Sequence, residues 1–324
     1  MTRREILDQF PKLSALVVGD ICLDRWCTYD PSTAEPSRET GIPRIGVIAT
    51  EVTPGAGGTV ANNLAALGVG KTAVLGTVGD DGFSYELTHA LEARGIEASL
   101  LVRTPGIQTF TYTKVINADS GEEDRPRIDF INTCPLAAEI EQEVISRLRS
   151  FAPEFDVLLV ADQAETDHGG VVTPAVRRAI EEIAEGDPRK VVWVDSRMRP
   201  ELFRRAIIKP NDEEARAACR RLFGRTDFQA LRAHAAAPLL IITHGGDGAL
   251  IVSEAGEQWV ATHRVENPVD ICGAGDSFSA GAALAYAVTR DPAGAVRFGN
   301  RVASLTIMKR GTGTASPQEV VAAE

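Results

Sequence analysis

The sequence predicts an α/β fold in which a mainly parallel central sheet is wrapped by helices, with a small β lid over one edge. Two observations carry this expectation. Short β-branched runs alternate with longer helical patterns along most of the chain, as strand–helix–strand crossovers require. Two stretches, about 26–53 and 100–131, break that alternation with extended patterns such as Thr109-Phe-Thr-Tyr-Thr-Lys-Val-Ile116, and these read as strands of a lid outside the main sheet. With 324 residues the chain can bury a large core, and a single domain over 1–324 carrying an appendage is expected.

The elements follow in order. Ala15–Val18 is the first strand, ended by Gly19-Asp20, and Thr59–Leu67 is a helix after a glycine-rich turn. Strand Thr72–Leu75 and helix Ser84–Arg94 come next. After the lid segments, in which 117–126 is a turn, a helix over Ala137–Ser150 leads to strand Val157–Val160. Helix Pro174–Glu185, strand Val191–Val194, strand Ile207–Ile208, helix Asp212–Leu222, strand Leu239–Thr243 and helix Asp276–Thr289 complete the pattern. In such folds ligands bind beyond the carboxyl ends of the strands. Asp20, Asp24, Asp162, Asp195 and the turn 245–248 fall there.

Charge and cysteine usage narrow the function. The 34 basic and 45 acidic residues leave a net charge of −11, which argues against nucleic acid or an anionic membrane as partner. The apolar run 13–18 is too short for a signal or a span. Five cysteines without a C-x-x-C or Cys/His cluster indicate neither a disulfide framework nor a zinc site, so a reducing cytoplasm is the expected compartment. The five histidines are unclustered. His244 could stack on a base or simply face solvent in its turn, and Trp26, Trp193 and Trp259 read as packing residues.

The most informative stretch is Asn267-Pro-Val-Asp-Ile-Cys-Gly-Ala-Gly-Asp-Ser-Phe-Ser-Ala-Gly281. Gly273, Ala274 and Gly275 leave backbone amides uncovered at the start of a helix, so amides and helix dipole converge on an anion. Asp276 then stands beside a prospective phosphate, either as a reacting carboxylate or as an ordinary helix cap. Three further segments have plain local readings: Gly55–Gly58 as a flexible turn, Asn211 and Glu214 as caps of the following helix, and Thr243 to Gly248 as a hairpin turn.

Together these residues resemble the PfkB-type, ribokinase-like carbohydrate kinase family, from about residue 15 to 314. Asp270-Ile-Cys-Gly-Ala-Gly-Asp-Ser-Phe-Ser-Ala-Gly281 is similar to the family's C-terminal signature, Pro54–Gly68 to its N-terminal glycine signature, Lys209-Pro-Asn-Asp-Glu-Glu214 to its Asn-x-x-Glu element, and Thr243-His-Gly-Gly-Asp-Gly248 to its nucleotide loop. The resemblance implies a three-layer α/β/α fold and transfer of phosphoryl from ATP, with Mg²⁺, to a sugar hydroxyl. It implies an anion hole at Gly273, Ala274 and Gly275, with Asp276 as the base. Asn211 and Glu214 would order Mg²⁺ and phosphate through water, Thr243, Gly245 and Gly248 would hold the nucleotide, and Asn300 would lie near the adenine. Asp24, Gly55 and Thr59 would face the sugar, although the family usually has Asn where Thr59 stands.

Such chemistry is self-consistent, because phosphoryl transfer needs dipolar groups, a metal on the other phosphates and a positioned hydroxyl rather than a covalent protein intermediate. Loss of one amide-type donor typically costs about 3 kcal/mol. The helix start is expected to keep Asp276 ionised near neutral pH. Within the family, Val18–Trp26, Glu35–Pro43, Arg127-Ile-Asp129, Asp162 and Gly299–Thr312 resemble the kinases of heptose phosphate most, with Arg127 and Asp162 implied at the substrate, although Gln163 stands where that branch has Tyr. Arg38, Arg44, Lys114, Arg127 and Arg197 are the cations available to a phosphosugar. A ribonucleoside kinase and a catalytically weak sugar or nucleotide sensor are the alternatives, and the lid strands offer a surface for a homodimer.

Overall fold

A computed structural model of the chain describes residues 1–166 and 168–322. Nine strands form the main sheet, in the order β15 (Gly256–Ala261), β14 (Gly248–Ser253), β13 (Leu240–Thr243), β12 (Ile207–Ile208), β11 (Val191–Ser196), β10 (Val157–Asp162), β1 (Ser14–Gly19), β4 (Lys71–Leu75) and β6 (Ile96–Glu97). Every pairing from β13 to β6 is parallel, and β14 and β15 close the edge as an antiparallel hairpin. A four-stranded lid has the order β3 (Val47–Ala56), β2 (Ile21–Tyr29), β8 (Thr111–Asn117), β9 (Ile128–Phe130). A separate pair joins β5 (Thr77–Gly79) to β7 (Val102–Thr104).

Ten helices surround the sheet among the described residues: α1 (Arg3–Leu7), α2 (Gly57–Ala66), α3 (Gly82–Glu92), α4 (Ala138–Phe151), α5 (Pro174–Gly186), α6 (Asp212–Phe223), α7 (Phe228–His234), α8 (Ala274–Thr289), α9 (Pro292–Thr306) and α10 (Pro317–Ala322). The pleat distributes them into layers. Ala15, Val17, Leu159 and Trp193 pack with α2, α8 and α9, whereas Leu16, Val18, Leu158, Val160 and Val194 pack with α4, α5, α6 and α7. Because successive side chains of a strand point to opposite faces, a continuous apolar run such as Ala15–Val18 serves both cores at once. This is a three-layer α/β/α sandwich with a mainly parallel sheet.

The lid differs in extent from the sequence expectation. It begins at Ile21, directly after β1, because β2 leaves the main sheet at Asp20 and pairs with β3 and β8 instead. Residues 102–104 pair with β5 and stay outside the lid. The hairpin β14–β15 and the helix α9 are additional to the predicted elements. Helix α9 has the alternation of small and apolar residues that packing against α8 requires: a side-chain carbon on Gly299 would lie 2.8 Å from the Ala282 Cβ, and one on Gly281 would lie 2.8 Å from Val302.

Candidate active site

Five parallel strands deliver their last residues to one edge of the sheet. β1 leads into Asp20, β10 ends at Asp162, β11 carries Asp195 as its last residue but one, β12 leads into Lys209 and β13 ends at Thr243. The start of α8 comes back to the same edge. Its N-cap, Gly273, has φ +76°, a left-handed conformation natural to glycine, and makes no side-chain cap. Asp276 is therefore the third helical residue and does not cap α8, which removes the simplest structural explanation for it. Asp270 anchors the loop from behind, its carboxylate accepting the amides of Cys272 at 2.9 Å and Gly311 at 3.1 Å.

Asp276 lies in a pocket of about 110 Å³ with Asp24, Tyr112, Lys114, Arg127 and Arg197. Burial pushes its pKa up to about 7; the Asp195 carboxylate adds to the rise, and Lys209 and Arg197 oppose it. The expectation of an ordinary ionised carboxylate at the helix start is thus corrected: desolvation in the cleft outweighs the favourable amides. Asp24 is likewise raised to about 6, chiefly by burial, with Lys114 and Arg127 opposing. Gly55 has a steric role here. A side-chain carbon on it would stand 2.4 Å from the Asp24 Oδ1, so the glycine leaves room for that carboxylate between β2 and β3.

The predicted substrate residues are not all brought to the pocket. Thr59 lines the pocket, but its hydroxyl donates to the Pro54 carbonyl at 3.3 Å, and its methyl group packs toward Gly273. Arg127 lines the pocket, held by Asp129 and stacked over the Tyr112 ring at 5.3 Å. Asp162 does not reach the pocket. It is sealed behind β10, accepting from Ser196 Oγ at 2.7 Å with Arg199 at 3.5 Å, and the following residue, Gln163, lines the pocket instead. Asp20 is also internal, its carboxylate receiving the amides of Gln163, Ala164 and Val171, each at 2.8 Å. Of the possible phosphate-binding cations, Lys114, Arg127 and Arg197 reach the pocket. Arg44 pairs with Glu35 on the exposed lid loop, and Arg38 is exposed there. Trp26, expected to be a packing residue, lines the pocket because it lies on the lid strand that faces the cleft.

On the other flank of the cleft, Asn211 and Glu214 form a reciprocal capping box at the start of α6: the Asn211 side chain accepts the Glu214 amide and Glu214 accepts the Asn211 amide, both at 2.8 Å. The capping role is real, and among the described residues it leaves one Glu214 carboxylate oxygen without a hydrogen-bond partner. Thr243 sits beside Asn211 through a parallel bridge, followed by Gly245 and Gly248 in the turn between β13 and β14. Asn300 lines a neighbouring cavity of about 770 Å³ with Ala261 and His263, and its side-chain nitrogen is buried without a partner among the described residues. That cavity adjoins the strand end that pairs with Gly248. His244 packs edge-on against Trp259 at 5.1 Å.

Sequence reasoning missed Lys209 and Asp195 as a unit. Lys209 Nζ lies 2.6 Å from Asp195 Oδ2, and Ser279 donates to the same carboxylate at 3.1 Å. Lys209 is 4% exposed and Asp195 6%, which places a paired charge inside the protein. The one available signal was a lysine immediately after an apolar strand, where a solvated side chain is uncommon. Size alone would not have found this site, since a larger cavity of about 610 Å³ lies at the opposite edge, where β11 begins at Val191.

The pattern of the pfkB family carbohydrate kinases matches residues 14–319. The chain belongs to this family. The kinase is 31% identical over 327 residues to the bifunctional protein HldE of Geobacter metallireducens, covering 95% of this chain and 62% of that relative. It is 31% identical over 321 residues to the HldE of Trichlorobacter lovleyi, again spanning 62% of the relative's length. Its fold is similar to that of a ribokinase from Thermotoga maritima, with a TM-score of 0.69 at 22% identity over 96% of this chain and 98% of the other. Phosphofructokinase-2 from Escherichia coli gives a TM-score of 0.70 at 18% identity, over 95% of the kinase and 97% of that chain. Among the described residues, no helix of the kinase is long and apolar enough to cross a membrane.

Proposed function

We propose that this kinase transfers the γ-phosphoryl group of ATP to a hydroxyl of a sugar phosphate, with Asp276 as general base. The observation that carries the reading is the position of Asp276: free of capping, raised toward neutrality by burial, and between an amide cradle and a pocket holding Asp24, Lys114, Arg127 and Arg197. The acceptor oxygen bonds to the γ-phosphorus, the bridging bond to ADP breaks, and the acceptor proton passes to Asp276. A base with a pKa near the working pH combines a useful ionised fraction with proton affinity. The amides of Ala274 and Gly275 are available to the developing charge.

The donor set fits Mg²⁺ held on nucleotide phosphates through water. Among the described residues no group of three or more His, Cys, Asp or Glu could cage a metal, and Glu214 offers one uncommitted oxygen beside the cleft. Magnesium keeps several waters and takes only one or two carboxylates in nucleotide sites. It would neutralise charge on the phosphates. The unpartnered Asn300 nitrogen supports a hydrogen-bonding ligand in its cavity, as an adenine would be.

A phosphate on the acceptor is favoured by three cations at the pocket, and the similarity to the heptose-phosphate branch and to proteins named HldE points the same way. Coupled ADP release measured over sugars, hexose and heptose phosphates and ribonucleosides tests the proposal, with the largest kcat/KM expected for a sugar phosphate. A greater value for a ribonucleoside would overturn the acceptor class. Ligands that raise the melting temperature without stimulating ADP release would identify a sensor instead of an enzyme.

A further inference from the structure

We infer that the cavity of about 610 Å³ at the far edge of the sheet is a second ligand site, taking a small phosphorylated metabolite through Lys190, Arg205, Arg232 and Arg290. Its volume is that of a metabolite site. It opens where β11 and β12 begin and where α5, α7 and α8 end. Arg290 caps α8, and the 16 residues of that helix put it about 24 Å from the cradle at its other end. A ligand here is separate from the nucleotide and the acceptor, and the inference does not depend on the role given to Asp276.

Charge selects the ligand. The chain has a net charge of −11, yet these four cations face only two carboxylates in the cavity, Glu185 and Glu254. Arg205 pairs with Glu185 at 3.3 Å and with Glu181 at 3.8 Å. The other three give their donors to uncharged groups: Lys190 to the Ala152 carbonyl at 2.8 Å, Arg232 to the Ala237 carbonyl at 3.0 Å and Arg290 to the Arg189 carbonyl. Among the described residues, none of these three forms an ion pair with a carboxylate. Burial lowers the Lys190 pKa, with Asp187 and Asp156 opposing. A phosphate group brings the missing negative charge together with acceptor oxygens that arginines grip bidentately.

The backbone gives a second, independent sign. Among the described residues, five that are not glycine have a left-handed backbone, and three of them line this cavity: Arg205 at φ +60°, Ala236 at +47° and Arg290 at +54°. Such conformations are costly for a residue with a side chain and concentrate at ligand sites. Helix C-termini favour cations, which accounts for part of the charge. It does not account for Arg290, because the left-handed residue that ends a helix is ordinarily glycine. Here that position carries a guanidinium laid over the Tyr286 ring at 5.5 Å, both at the cavity wall. Arg205 is tied to the end of α7 by its amide, which donates to the Ala235 carbonyl at 2.9 Å.

Calorimetric titration of the full chain with inorganic pyrophosphate, without Mg²⁺ and at low ionic strength, tests the inference. Arg205→Gly/Arg290→Gly removes two cations and relaxes two left-handed positions, so without ligand its melting temperature should hold or rise and its turnover should stay within about twofold of wild type. Pyrophosphate should bind this variant at least about tenfold more weakly. Ala236→Gly relaxes the third position and keeps every charge, and it should bind as wild type does. Arg197→Met, which disturbs the active-site pocket instead, should also keep this binding. Binding lost in Arg197→Met and kept in the double variant would place the anion in the active site and overturn the inference. So would an affinity unchanged by the double substitution, or no binding up to about 10 mM. If the double variant melts below wild type, Arg232→Gln leaves both left-handed residues in place and must show the same loss; affinity within about twofold of wild type there would overturn the inference.

Discussion

The pH dependence of acceptor turnover follows directly from the burial of Asp276. An aspartate in water has a pKa near 3.9, so an exposed base would be fully ionised from pH 6 to pH 8 and kcat/KM would be flat. With the Asp276 pKa pushed up to about 7, only its ionised form can take the acceptor proton, and activity rises with pH. For one titrating group the ionised fraction is about 0.09 at pH 6 and about 0.91 at pH 8, a tenfold rise in acceptor kcat/KM. The assay is coupled ADP release at saturating ATP and Mg²⁺ with limiting acceptor. An acceptor phosphate also titrates, with a pKa near 6, so the profile is repeated in Arg197→Met. Arg197 lowers the Asp276 pKa, so its removal should carry the acid limb to higher pH, whereas a limb belonging to the acceptor would stay. A flat profile, or a limb unmoved by that substitution, would refute the reasoning. Stability runs the other way: folded pKa values raised above the unfolded ones for Asp20, Asp24 and Asp276 mean that the native state holds protons the unfolded chain has lost, so this contribution is present at low pH and fades as pH rises through about 6 to 7.

Two further substitutions separate the parts of the site. Asp24→Asn keeps the shape beside Gly55 but weakens the acceptor contact, and the acceptor KM should rise at least about tenfold with the ATP KM little changed; equal changes in both would contradict the assignment. Gly275→Ala adds a helix-favouring side chain, worth up to about 1 kcal/mol, while crowding Lys209 Nζ. The melting temperature should hold or rise while turnover falls at least about tenfold, and an unchanged kcat would argue against a phosphoryl group at this cradle.

Much of the architecture was legible because the strands of a sheet covered on both faces are continuous apolar runs. Val157–Val160 and Val191–Val194 needed no partner information to be recognised, and their carboxyl ends marked the edge where the site lies. The glycine-rich signatures were legible because their backbone requirement is local. Side-chain direction was not. Asp162 and Gln163 are neighbours in sequence, yet one is sealed against Ser196 while the other reaches the pocket, a distinction made by the pleat and by β11. Trp26 read as a packing residue because it lies near a strand pattern, but the lid turns its face toward the cleft. The Lys209–Asp195 pair could not be seen, since Asp195 lies on β11 and Lys209 just after β12, and only the β11–β12 pairing and the Ser279 hydroxyl of α8 bring the network together. Burial, too, reversed an expectation: the helix start suggested an ordinary carboxylate, and the cleft pushes its pKa up to about 7.

The central claim is that Asp276 is the base for phosphoryl transfer and not a structural residue of α8. Asp276→Asn preserves size and removes the base, so single-turnover kinetics of this variant with ATP, Mg²⁺ and the preferred sugar phosphate test the claim most directly. The account predicts a rate reduced about 100-fold or more with ATP affinity within about threefold of wild type. A variant that transfers phosphoryl at close to the wild-type rate would contradict it.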